Sequence, residues 1–223
     1  MERGFSLARK EQLVQITEMA IDCLVRTFKN NPYFFYTEND LHCYLHNEIY
    51  CRLPVSEWPC ITKDDKRSVL LHKEYPTKER YDATVPKHTA RGKRGYFDLC
   101  IWNPEKTRER LFRATSTDFE DEQQTFVAIE LDLIEENESL KQASHHVKWD
   151  LLKLGSSKNE VEHGYALIFA RDWMRTKEFL KKIQPRLARE EMSAVLFVEK
   201  TSDNVYAKTM SQKQFLNYDL LVK

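Results

Sequence analysis

The stretch Phe126-Val127-Ala128-Ile129-Glu130-Leu131-Asp132-Leu133-Ile134 is apolar except at Glu130 and Asp132. A short apolar run without Gly or Pro reads as a strand built for an interior. Side chains two apart on a strand share a face, so the two carboxylates project together. An ionised carboxylate buried without a partner costs several kcal/mol, or takes up a proton at a raised pKa. The stretch therefore predicts a core strand that needs a positive counterpart from elsewhere in the fold.

A second strand makes the same demand. In GYFDLCIWNP, Gly95 to Pro104, alternation puts Tyr96, Asp98, Cys100 and Trp102 on one face and Phe97, Leu99 and Ile101 on the other. A single acid in a strand is more often salt-bridged or exposed than catalytic. Three acids on two successive strands favour a divalent cation, bound by Asp98, Glu130 and Asp132. Mg²⁺ (or Mn²⁺) accepts such oxygen ligands and completes its shell with water and phosphate. Glu74, in LHKEYP, is a fourth acid that alternation turns toward the same cleft, with a salt bridge to a basic-loop residue as the commoner role.

Helices flank these strands. Leu13, Ile16, Ala20, Leu24 and Phe28 recur at helical spacing from Ser6 to about Lys29, and Asn30-Asn31-Pro32 ends that helix. Thr37 to Leu53 reads as a second helix with Thr37 as N-cap and Asp40 three residues on. Ser68 to Pro76 is a strand, followed by a polar basic loop. Glu105 to Gln124 has no periodicity and reads as a long loop or insertion. Glu138 to Leu154 is a helix with Leu140, Ala143, Val147, Leu151 and Leu154 on one face. Gly164 to Ala170 and Ser193 to Lys200 are further strands, separated by a basic helix over Arg175 to Arg189. Val205 to Lys208 adds an edge strand, and Gln212 to Tyr218 a helical turn. The order predicts an α/β or α+β sandwich around a mixed central sheet.

The bulk numbers bound the class. The chain has 223 residues, 41% hydrophobic and 31% charged, enough for one large domain with a solvated surface. Its formal net charge of +0 argues against broad electrostatic attraction to nucleic acid. Basic residues nonetheless dominate Thr77 to Arg94, and acidic ones Asp118 to Gln124 and Glu135 to Glu138. No stretch approaches a membrane span, and the start MERGFSLARKEQ lacks a signal-peptide core. Cytoplasm is the expected location, with no membrane partner, and the 5 cysteines read as reduced thiols.

GYFDL followed by FVAIELD resembles the PD-(D/E)XK nuclease superfamily, with its restriction-endonuclease-like fold. The resemblance implies an αβββαβ core with a mixed sheet flanked by helices over residues 37–170, an N-terminal helical addition over 1–36, and a C-terminal helix and strand extension over 171–223. It implies metal-dependent hydrolysis of DNA, with Asp98 and Glu130 as the motif acids holding Mg²⁺ (or Mn²⁺). Glu48, in LHNEIY, falls where many members carry an additional acid. Phe97 stands in the nominal proline position, and Asp132 replaces the motif lysine, free to serve a second metal or orient the nucleophile. Lys148, on the following helix, is the expected substitute cation, with Lys141 on a similar face seven residues earlier. Members often work in pairs, so a homodimer belongs to the same expectation. The alternative is a nuclease-like domain retired from catalysis and serving as a DNA- or protein-binding module.

Other constellations point elsewhere. His42 and His46 lie one helical turn apart, a spacing that can ligate zinc, but a structural role is the commoner one. His145 and His146 diverge by about 100° on a helix. There is no phosphate-cradling glycine loop and no Gly-x-Ser-x-Gly elbow. The aromatics Tyr33 to Tyr36 could stack on bases; packing the first two helices together is the expected role.

Overall fold

The computed structural model describes residues 2–53, 60–81, 93–112, 123–134, 139–171, 194–199 and 207–210. The chain opens with helices α1 (Glu2–Asn30) and α2 (Glu38–Arg52) and a small hairpin of β1 (Cys60–Ile61) and β2 (Arg67–Ser68). The main sheet follows as β3 (Leu71–Tyr81), β4 (Lys93–Trp102) and β5 (Thr125–Ile134). Then come α3 (Leu140–Gly155), β6 (His163–Ala170), β7 (Ala194–Glu199) and β8 (Ala207–Met210).

The six strands β3 to β8 lie side by side in chain order. β3 pairs antiparallel with β4, and β4 with β5, whereas β5, β6 and β7 are mutually parallel and β8 returns antiparallel. The protein is thus mixed α/β. β5 is antiparallel to β4 on one edge and parallel to β6 on the other, and α3 makes the crossover that a parallel connection requires.

Local chemistry sets the helix boundaries. Thr37 caps α2 in a full capping box with Asp40, which satisfies two otherwise orphaned N–H groups. Ser139 and Gln142 repeat the device at the start of α3. Leu41, Leu45 and Ile49 of α2 are fully buried, as are Leu13, Ala20, Leu24 and Phe28 of α1. These residues join one continuous core with β4, β5, α3 and β6. Leu13 to Phe28 of α1, and Phe35, therefore share one hydrophobic interior with the sheet.

Three differences from the sequence reading have physical causes. β3 runs past Pro76 to Tyr81, through the beginning of the expected basic loop, because Arg80 and Tyr81 pair with Arg94 and Lys93 after a bulge. Pro76 is tolerated there because β3 is an edge strand. The β1–β2 hairpin occupies what reads as loop. The third concerns the aromatic turn: Phe35 alone is buried (1% exposed), while Tyr33, Phe34 and Tyr36 are 72%, 67% and 84% exposed. Of the four rings in the link between α1 and α2, residues 31–37, Phe35 packs against Phe28 and Tyr44.

Residues 82–92, 113–122 and 135–138, the helix read over Arg175 to Arg189 and the turn read over Gln212 to Tyr218 lie outside the described residues. All five cysteines carry free thiols. No helix among the described residues is long and apolar enough to cross a membrane.

Candidate metal centre

The centre lies where β4 parts from β5. Their ladder ends at the pair Leu99 and Ile129. Past that point the Leu131 N–H has no strand partner on this edge, and Asp98 Oδ2 accepts it at 2.7 Å. On the other side of β4, Lys73 pairs with Leu99 and Tyr75 with Phe97, which sets Glu74 opposite Asp98. The register thus sets Glu74 and Asp98 across from each other, and directly opposed residues on a sheet interact most strongly; Glu130 follows one residue past the end of the β4–β5 ladder.

Glu130 is the most deeply placed member, at 1% exposed. Its Oε2 accepts from Lys153 Nζ at 2.7 Å. Lys153 comes from the last turn of α3, pairs also with Asp150 Oδ1 at 2.8 Å, and donates to the Tyr96 carbonyl at 3.0 Å. The lysine stem passes over Gly95, where an added Cβ would stand 3.2 Å from Lys153 Cδ and 3.2 Å from atoms of Thr77 and Tyr81. A side chain at position 95 would require these neighbours to shift by a few tenths of an ångström. Burial drives the Glu130 carboxyl well above its ordinary range; Lys153 opposes that, while Asp98 and Asp150 add to it. For Lys153, burial works against the charge, but Asp150, Glu130 and Asp98 outweigh it and hold the ammonium well above the usual range.

Asp98 faces a second cation. His42 Nε2, on α2, lies 3.4 Å from Asp98 Oδ2 and 3.7 Å from Glu38 Oε1, yet makes no hydrogen bond to either. Burial opposes ionisation of Asp98, but His42, then Lys153 and the Leu131 N–H, outweigh it and lower its pKa. Burial likewise opposes protonation of His42, and Asp98 and Glu38 reverse the balance and raise it. One ligand atom from each of His42, Glu74 and Asp98 falls within 4.8 Å of the other two. Among the described residues, these three form the group close enough to share an ion.

The donor set can be tested against a cation. His42, Glu74 and Asp98 offer ligand atoms close enough for one divalent ion, and an imidazole among carboxylates suits Mn²⁺ or Zn²⁺ better than Mg²⁺. Because Asp98 and Glu38 favour the protonated imidazole, an ion taken up there displaces that proton and binds less well in acid. Glu130 Oε1, deeper in the site, is buried without a hydrogen-bond partner, which costs about 1–3 kcal/mol. Glu74 has φ of 53° within a strand, a left-handed conformation that costs a residue with a Cβ roughly 1–2 kcal/mol. Glu74→Gly is accordingly expected to stabilise the metal-free protein by about 1 kcal/mol while weakening Mn²⁺ binding. Paired urea unfolding and calorimetry check both halves; a loss of stability with unchanged ion affinity would refute the assignment.

Asp132 sits beyond Glu130, part-exposed in a cleft of about 230 Å³ that Glu38 and Val147 also line. Burial, then the neighbouring Asp150 carboxyl and Glu38, push its pKa well above the ordinary range. Burial and Asp98 raise Glu38 as well. This crowding of carboxylates is the repulsion that the opening stretch of sequence implies.

The site corrects several expectations. Glu48 pairs with Arg52 one turn along α2, and the α2 residues that reach the acids are Glu38 and His42. The lysine that contacts Glu130 is Lys153, not Lys148, which is half-buried further back on α3, and Lys141 is exposed. Asp132 meets Asp150 and Glu38 rather than the His42, Glu74 and Asp98 group. His46 stacks on Tyr50 and takes no part. Sequence does hold a trace of the missed residues: Asp150 and Lys153, one helical turn apart, border the apolar stripe of Val147, Leu151 and Leu154. No protein-family model, curated protein or solved structure matches this chain.

Proposed function

We propose that the protein is a divalent-metal-dependent phosphodiesterase acting on DNA, with a restriction-endonuclease-like core in which Lys153 replaces the motif lysine. The observation that carries the reading is the group His42, Glu74 and Asp98, whose ligand atoms lie within 4.8 Å of one another, with Asp98 on the strand next to the buried Glu130, whose Oε1 has no hydrogen-bond partner. The element order α2, β3, β4, β5, α3, β6 agrees with the core that the GYFDL and FVAIELD resemblance implies.

Asp98, His42 and Glu74 would hold the ion, with Glu130 across the strand pair. When bound, the ion supplies Lewis-acid polarisation of the phosphate and a lowered pKa for its water. Lys153 opposes the rise that burial imposes on the Glu130 pKa. Asp132 lies apart from that group, in the cleft with Glu38, its pKa raised by burial, Asp150 and Glu38.

One observation favours the alternative, a retired nuclease-like binding module: Lys153 already neutralises Glu130 within the protein. A cleavage assay separates the two readings. Single-stranded and duplex DNA are incubated with Mn²⁺, Mg²⁺ or EDTA. The hydrolase reading expects cutting in Mn²⁺, slower cutting in Mg²⁺ and none in EDTA. Intact DNA in both ions at stoichiometric protein would leave the module reading in its place.

A further inference from the structure

The turn between α1 and α2 exposes three aromatic rings within four residues, Tyr33, Phe34 and Tyr36. Large exposed apolar patches on a folded protein mark contact surfaces. This one is also held in place. Arg171, at the end of β6, donates from Nη2 to the Phe35 carbonyl at 2.6 Å and the Tyr36 carbonyl at 3.4 Å, and from Nε to the Pro32 carbonyl at 3.3 Å. Phe35 anchors the turn from inside, against Phe28 and Tyr44. The outer rings are therefore presented on a fixed backbone, which reduces the ordering cost of binding.

A cation stands beside the rings: the Arg171 guanidinium lies 5.5 Å from the Tyr33 ring centroid. Exposed rings beside a cation fit a polyanion whose flat groups are accessible. Tyr36 immediately precedes Thr37, the cap of α2, and that helix carries Glu38 and His42 of the carboxylate site.

We propose that Tyr33, Phe34 and Tyr36 form a stacking platform for the bases of an unpaired nucleotide strand beside the metal centre. The inference rests on the phosphodiesterase reading and narrows its substrate to single-stranded or locally unpaired nucleic acid. A duplex hides the faces of its bases, whereas a single strand offers them to aromatic side chains. The charge balance agrees: a chain of formal net charge +0 has no broad basic field to grip a duplex backbone. Affinity then comes largely from stacking, and its salt dependence is shallow.

The test uses the full chain in EDTA, so that binding is read without cutting. Fluorescence anisotropy compares labelled thymidine and uridine homopolymers with a blunt mixed-sequence duplex over a series of salt concentrations. Wild type is expected to bind a single strand of either sugar at least about tenfold more tightly than the duplex. Tyr36→Ala should weaken that binding about tenfold, Tyr36→Phe should retain it, and the triple alanine variant should erase the preference. These residues are at the surface, so unchanged thermal unfolding verifies that the variants are folded. Equal affinity for duplex, or wild-type binding by the triple variant, overturns the platform. So does a concentration-dependent dimer by sedimentation that the triple variant abolishes, since the rings would then serve a second copy of the chain. Ring-dependent binding without Mn²⁺-dependent cutting overturns the phosphodiesterase reading and leaves the platform standing.

Discussion

Asp98→Asn is expected to lower Mn²⁺-dependent cleavage by on the order of 10³-fold, because the ion's polarisation of the phosphate is worth several kcal/mol and each 1.4 kcal/mol is tenfold. Asn is the informative replacement. Its amide oxygen still accepts the Leu131 N–H that Asp98 Oδ2 takes at 2.7 Å, so the parting of β4 and β5 is preserved. What is lost is the charge shared with His42 and the oxygen that lies within 4.8 Å of Glu74 and His42. The metal-free protein should lose some stability at neutral pH with the Asp98 charge that His42 and Lys153 favour, and Mn²⁺ should no longer raise its urea midpoint. Cleavage within threefold of wild type would show that Asp98 is a backbone clasp and not a ligand.

Lys153→Met should cost about 3–5 kcal/mol of stability at neutral pH, the range for removing one partner of a buried ion pair. The substitution strands Glu130, which is 1% exposed, and deprives Asp150 and the Tyr96 carbonyl of a donor. The cost carries a pH signature. A carboxyl whose native pKa is raised contributes stability that is complete below its unfolded value and lost as pH rises through the native one. Glu130 is already raised, and without Lys153 it rises further. The variant therefore approaches wild type in mild acid, where Glu130 is protonated, and falls behind as pH climbs. Pairing Lys153→Met with Glu130→Gln should recover much of the loss. Urea unfolding at acidic and neutral pH checks all three statements; a deficit below about 1 kcal/mol at both pH values would contradict the buried pair.

Much of the framework was legible because its signals are local. Thr37 and Asp40 announce a capping box four residues long, and the structure contains it. Phe126 to Ile134 lies within β5, and Asp98 and Glu130 each stand one residue past the last β4–β5 pair, Leu99 and Ile129. The partners of these acids were harder to read because they depend on contacts distant in sequence. Lys153 and Lys148 lie five residues apart on α3 and so face directions about 140° apart; which of the two meets Glu130 depends on how α3 packs on the sheet, with the Lys153 stem passing close over Gly95. His42 at helical spacing from His46 suggests a histidine pair, yet it meets Asp98 because α2 packs against the sheet. The left-handed turn of Glu74 has no sequence signature at all, since no Gly or Asn marks it. Apolar count alone sends Tyr33, Phe34 and Tyr36 inside; of that link, Phe35 is the ring that is buried.

The Asp98 clasp on Leu131 has an evolutionary corollary. A descendant that abandoned chemistry would still need an acceptor at position 98 to keep its sheet open, so an acid or amide there says little about living activity. Glu74 is under the opposite pressure: its strained backbone gives a retired lineage every reason to drift toward glycine. When related chains are found, position 74 is the one to inspect first.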